Sequence, residues 1–129
     1  FALFIVDPSW RPEQFEALAR YVRQREIAFA TFATATVLPG TDLAPMKTYD
    51  GPVDERWWRY DLLRVHQDPT HMSRARYYLW MLWLYMLPSL VAANRRRIAK
   101  RYGLWGLLRA AVNAWIVGIE YFVKLLLWR

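Results

Sequence analysis

A chain of 129 residues is long enough for one domain, and its charge divides it in two. Lys and Arg outnumber Asp and Glu by 18 to 11, a formal net charge of +7, yet residues 1–60 hold seven cations against eight anions and residues 61–129 hold eleven against three. No cysteine is present, which excludes a disulfide framework and thiolate metal ligation by these residues, and the basic, apolar second half suits an anionic surface better than a separate catalytic unit.

Phe1 to Val6 is an apolar run closed by Asp7 and Pro8, with the length and punctuation of a buried strand. It is too short, and lacks the basic flank, for a secretory signal. Pro12 suits the first position of a helix, and Glu13 suits the positive end of its dipole. Phe15, Leu18, Ala19 and Val22 recur at i, i+3, i+4 and i+7, which predicts a helix ending near Arg25. Ile27 to Val37 reads as a second strand, and Leu38, Pro39, Gly40 and Thr41 as a tight turn. The unit is βαβ, which cannot bury a parallel sheet alone because such sheets need cover on both faces. The expectation is therefore an α/β protein of which this chain forms the last part of a larger barrel or sheet.

Residues 42–52 read as irregular, with Pro45, Gly51 and Pro52 as turn formers. Residues 54–63 read as a short helix or aromatic loop, and residues 66–71 as a connector. Ser73 could cap the next helix, although position 76 carries no Glu or Gln to complete a capping box. From Tyr77 to Ala93 there is no charge, but five aromatic residues and Pro88. At the short edge of the roughly 20 residues a span needs, this run suits a re-entrant or interfacial segment, or a helix packed on the barrel.

Arg95, Arg96, Arg97, Lys100 and Arg101 then form a basic patch leading to Gly103, a helix stop. The last helix is expected from Leu104 to Trp128. At about 100° per residue its interior polar residues Arg109, Asn113, Glu120 and Lys124 fall in one narrow stripe. Glu120 and Lys124 are spaced for an i,i+4 pair. Such a helix lies against something apolar, a bilayer interface or protein. With aromatics on apolar helices on both sides, the basic run favours lipid headgroups, and nucleic acid is disfavoured. A solvated face between two helices is the plainer account of the same run.

Other candidates are weaker. Asp7 ends a strand where α/β barrels place ligand-binding residues, but Asp is also a standard turn former. His66, Asp68 and His71 fit no zinc spacing. Asp54, Glu55 and Asp61 could pair for acid–base work, with a solvated charged segment the simpler alternative.

Three pieces of the chain resemble the C-terminal part of radical SAM enzymes that carry a cobalamin-binding domain. Phe4, Ile5, Val6, Asp7 and Pro8 look like the late barrel strand that usually reads apolar-apolar-Gly-x-Pro, with Asp7 in place of the commoner Gly. Ala30 to Thr41, followed by Asp42 and Leu43, looks like the next strand and the family's Pro-Gly-Thr-x-Leu turn. Tyr60 and Asp61, with Pro69 to Ser73, are similar to the segment that closes the core. The resemblance implies a closing βαβ portion of a partial (β/α) barrel over residues 1–75 and an apolar, basic helical extension over 76–129. It implies SAM, a [4Fe–4S] cluster and cobalamin in the intact protein, with Val6, Asp7, Val37 and Leu38 toward the SAM pocket. The family's C-x-x-x-C-x-x-C motif has no counterpart here, so the cluster ligands would lie in a preceding N-terminal barrel, next to a cobalamin domain, and this part alone would be inactive.

The implied chemistry is reductive cleavage of SAM to a 5′-deoxyadenosyl radical, which abstracts hydrogen from an unactivated carbon, often for methylation. The apolar tail would suit a lipid-like or isoprenoid substrate and a cytoplasmic protein held peripherally at the inner face of the membrane. A non-enzymatic peripheral membrane module with basic amphipathic helices is the alternative.

Overall fold

The computed structural model describes residues 2–36, 62–66 and 68–127, and in these the side chains of 88–90 and 125–127 are not described. The elements are β1 (Ala2–Val6), α1 (Pro12–Gln24), β2 (Ala30–Thr34), α2 (Arg74–Leu90) and α3 (Ala92–Leu127). β1 and β2 pair in parallel, Ala2 against Ala30 through Val6 against Thr34, so the expected βαβ unit forms.

Local sequence accounts for the ends of α1. Pro12 occupies its first turn, and Gln14 Oε1 accepts the Arg11 backbone N–H at 2.8 Å. At the other end the Ile27 N–H reaches Val22 O and the Glu26 N–H reaches Arg23 O, both at 3.1 Å, the two bonds of a Schellman ending. Glu26 takes the left-handed position, at φ 51°, that glycine usually fills. Ile27 is therefore spent on closing the helix, and β2 begins only at Ala30 instead of at residue 27.

One face of the β pair carries the core. Val6 and Phe32 pack with Phe15, Ala19 and Val22 of α1 and with Tyr77, Met81 and Leu84 of α2. Phe4 stacks on Phe32 with ring centroids 5.7 Å apart. Three α2 tyrosines fasten that helix to the rest. The Tyr77 hydroxyl donates to Val6 O at 3.0 Å, the Tyr78 oxygen accepts the Val65 N–H at 3.2 Å, and the Tyr85 hydroxyl both accepts from Phe32 N–H and donates to Phe32 O. Ser73 Oγ caps α2 by accepting from the Arg76 N–H, as expected. Of the alternatives for residues 77–93, α2 is the apolar helix packed on the α/β unit.

On the opposite face β1 is exposed, while Ala33 of β2, the partner of Ile5, is buried. Leu3 and Ile5 are 55% and 64% exposed, and no described element lies over them.

Candidate functional site: an outward apolar helix face beside a basic segment

α3 is two helical stretches meeting at Gly103, whose φ of 68° and ψ of −172° belong to a region that is essentially glycine's alone. The stop expected at Gly103 is thus a sharp turn. Gly106 completes it, because a Cβ there would sit 2.3 Å from Tyr102 Cβ.

The stretch before the turn carries the basic residues. Asn94 and Ile98, one turn apart, are buried, and Asn94 Nδ2 donates to Ile27 O at 3.3 Å. This anchors the segment to the loop entering β2 and turns Arg95, Arg96, Arg97, Lys100 and Arg101 outward, all exposed. Arg97 is committed within the fold. Its guanidinium donates to Glu26 O at 2.9 Å and pairs with the Glu26 carboxylate, holding the strained end of α1. The Arg101 guanidinium lies 5.7 Å from the Tyr102 ring centroid. Arg95, Arg96 and Lys100 make no ion pair among the described residues.

After the turn α3 lies along α2. Tyr121 packs on Tyr78 and Tyr85 with ring centroids 5.9 and 5.5 Å away, and a Cβ on Gly118 would touch Leu82. The body-facing side carries the small residues Gly106, Ala110, Ala114 and Gly118 together with Val117, Tyr121 and the buried Lys124. Most of the large apolar residues point out. Leu104 is 82% exposed, Trp105 74% and Trp115 65%, and Leu108, Val112, Ile116, Ile119, Phe122 and Val123 are also exposed. Small residues inward and large ones outward is the arrangement of helices that pack in lipid.

The expected polar stripe forms but borders the protein. Glu120 and Lys124 pair at 3.1 Å, and Lys124 is buried against the body. Among the described residues α3, over Ala92–Lys124, is the one helix long and apolar enough to cross a membrane by length and composition.

The other sequence candidates are scattered. The Val6 side chain lies in the core, and its carbonyl accepts from Tyr77 and from the Ala35 N–H at 2.8 Å. Asp7, partly exposed at the C-terminal end of β1, accepts the Ser9 N–H at 2.8 Å, the bond of an Asx turn. Val37 and Leu38 lie outside the described residues, as do Asp54, Glu55 and Asp61. Asp68 pairs with Arg74 at 2.6 Å, and His71 is exposed. No group of three potential metal ligands occurs among the described residues.

Sequence reasoning missed two features. Nothing in a basic run singles out Arg97 as Glu26's partner, since the two are 71 positions apart. The inward tyrosines of α2 were equally hidden, because a uniformly apolar run has no polar side to give its orientation. Comparison with protein-family models, curated proteins and solved structures returned no match.

Proposed function

We propose that this chain is the closing part of a radical SAM-type barrel, of the cobalamin-dependent kind, held at an anionic membrane surface by α3. The observation that carries the barrel reading is the exposed face of β1. β1 and β2 are a parallel pair with α1 and α2 on one side only, while Leu3 and Ile5 stand exposed on the other. Parallel strands are characteristically covered on both faces, and further barrel strands would supply that cover. The resemblance of Phe4–Pro8 and of the Pro39–Gly40–Thr41 turn to late strands of that family names the kind of barrel.

The cofactors divide between what this chain can and cannot hold. It has no cysteine, so the [4Fe–4S] cluster would need thiolates from preceding residues of the intact polypeptide, and no step through the cluster is assigned to these residues. At the C-terminal ends of β1 and β2, Asp7 and Thr36 are the partly exposed polar side chains described where such barrels bind ligands. An isoprenoid or other lipid-like substrate fits a barrel whose last helix meets the bilayer, with radical chemistry, methylation included, at its C-terminal face.

The test is anaerobic cluster reconstitution of the full-length polypeptide, followed by reduction in the presence of SAM. Release of 5′-deoxyadenosine is the expected result. A full-length chain that binds no cluster and leaves SAM intact overturns the radical reading. The second reading, a non-enzymatic membrane module, rests on the outward apolar face of α3 and would then stand alone.

A further inference from the structure

α3 and the entry to β2 enclose a groove of about 680 Å³, bounded by Ala28–Thr31 on one side and by Tyr102, Gly106, Arg109, Asn113 and Val117 on the other. Its walls are mainly apolar. Two polar side chains stand at its rim one helical turn apart, Arg109 and Asn113, both exposed. Arg109 forms no ion pair among the described residues. The groove is continuous with the outward apolar face of α3 and adjoins the basic segment through Ile98 and Tyr102.

We propose that this groove holds one anionic phospholipid, its phosphate on Arg109 and Asn113 and an acyl chain along Ala110, Ala114 and Val117. The proposal rests on the membrane-surface reading of α3 and adds a defined lipid site to it. Charge complementarity selects the occupant. The guanidinium offers a fork of N–H donors to phosphate oxygens, and the Asn113 amide adds another donor. Arg101, whose guanidinium lies 5.7 Å from the ring of the groove-lining Tyr102, adds positive charge nearby that a zwitterionic headgroup would not exploit. The floor offers a hydrocarbon chain the close approach that Gly106, Ala110 and Ala114 permit.

Place in the fold separates this lipid from any reacting substrate. The groove opens at Ala28–Thr31, the N-terminal end of β2, whereas parallel barrels carry their chemistry at the C-terminal ends of the strands. Its lipid is therefore a fixed part of the docked protein, not a molecule on its way to reaction.

The experiment uses the full chain, reconstituted with phosphatidylcholine vesicles containing phosphatidylglycerol, extracted in mild detergent, and weighed by native mass spectrometry. Wild type should retain one phosphatidylglycerol. Arg109→Gln should lower that retention by about tenfold, the loss of one charge-assisted hydrogen-bonded contact, while flotation on pure phosphatidylcholine stays unchanged. Asn113→Leu should lower it less. Ala114→Trp, which fills the floor, should remove it. Equal retention by Arg109→Gln and wild type overturns the site and leaves the membrane reading of α3 intact. So does displacement of the lipid by millimolar inorganic phosphate, which would mark a simple anion site. A wild-type chain that floats on neither vesicle overturns both.

Discussion

At the scale of single residues, Glu26 and Tyr77 each carry a measurable consequence of their placement. Glu26 sits at a positive φ that costs a side-chain-bearing residue about 1–2 kcal/mol, and the Arg97 pair that holds it is exposed, worth about 0–1 kcal/mol. The strain therefore exceeds what the pair returns. In an Arg97→Ala background, Glu26→Gly should stabilise the protein by about 1 kcal/mol in chemical denaturation. In the wild-type background the gain should shrink by the worth of the pair. A destabilising Glu26→Gly with Arg97 already removed would show that the left-handed ending is not the source of the strain.

Tyr77 is fully buried, and burial pushes its hydroxyl well above the usual tyrosine range, with the neighbouring Asp7 charge adding to the rise and contact with Thr34 opposing it. Tyr85 is raised for the same first reason. A folded-state pKa above the unfolded one means that, above about pH 10, the unfolded chain binds fewer protons than the native one. Stability contributed by these groups is whole below about pH 10 and is lost as pH rises beyond it. Tyr77→Phe should cost about 1 kcal/mol at neutral pH through the bond to Val6 O, since Ala35 N–H still serves that carbonyl. Above pH 10 its unfolding free energy should fall less steeply than wild type. Parallel pH profiles for the two proteins would contradict the assignment.

At the scale of elements, legibility followed periodicity and punctuation. α1 was readable because Phe15, Leu18, Ala19 and Val22 mark one face and Pro12 marks its start, and both hold in the structure. Ser73 and Gly103 were readable as cap and stop because each acts locally, Ser73 through its Oγ on the Arg76 N–H and Gly103 through its own φ and ψ. β2 was overestimated at both ends in length, because Ile27 looks like a strand residue and serves a helix ending. The stripe from Arg109 to Lys124 was legible as a stripe, but which side of α3 faces the body was not. Orientation there is set only once α2 is beside it, by Gly118 against Leu82 and Tyr121 against Tyr78 and Tyr85.

That orientation leads to a prediction on how α3 binds. Burying each large apolar side chain is worth about 1.5–3 kcal/mol when complete, and nine of them face outward after Gly103. The outward cations add about 1 kcal/mol each near an anionic surface. The apolar term is the larger, so molar salt should weaken vesicle flotation without abolishing it. Ile119→Asp should reduce flotation far more than Lys100→Gln does, and neither should change the thermal midpoint by more than the small effect of a surface substitution. Complete release by salt alone would make the basic stretch before Gly103, not the apolar stretch after it, the principal attachment.

At the scale of the whole molecule, composition permits two seatings of α3 that packing separates. The stretch after Gly103 is roughly 36 Å long at about 1.5 Å per residue, enough to cross the hydrocarbon core. Yet its far end is bound to the same helix that holds the sheet. Tyr121 contacts Tyr78 and Tyr85, Tyr85 is bonded to Phe32, and Phe15 of α1 packs on Tyr77. The core thus passes across the expected boundary at residue 75. Driving α3 through a bilayer would carry α2 and the βαβ unit to the same depth, along with Glu13, Glu16, Arg20 and Arg23 on the exposed side of α1. Charges at that depth cost several kcal/mol each by insertion scales. A helix lying in the plane of the interface, outward face down, avoids the cost and leaves the α/β unit in water. These 129 residues hold no cysteine of their own, so peptide mapping can read introduced ones directly. Arg101→Cys and Glu120→Cys, on either side of most of α3, should both react with a membrane-impermeant maleimide added outside intact vesicles to which the protein has been bound. In a spanning helix position 120 would lie about 25 Å beyond the Gly103 turn, and the reagent would reach position 101 alone.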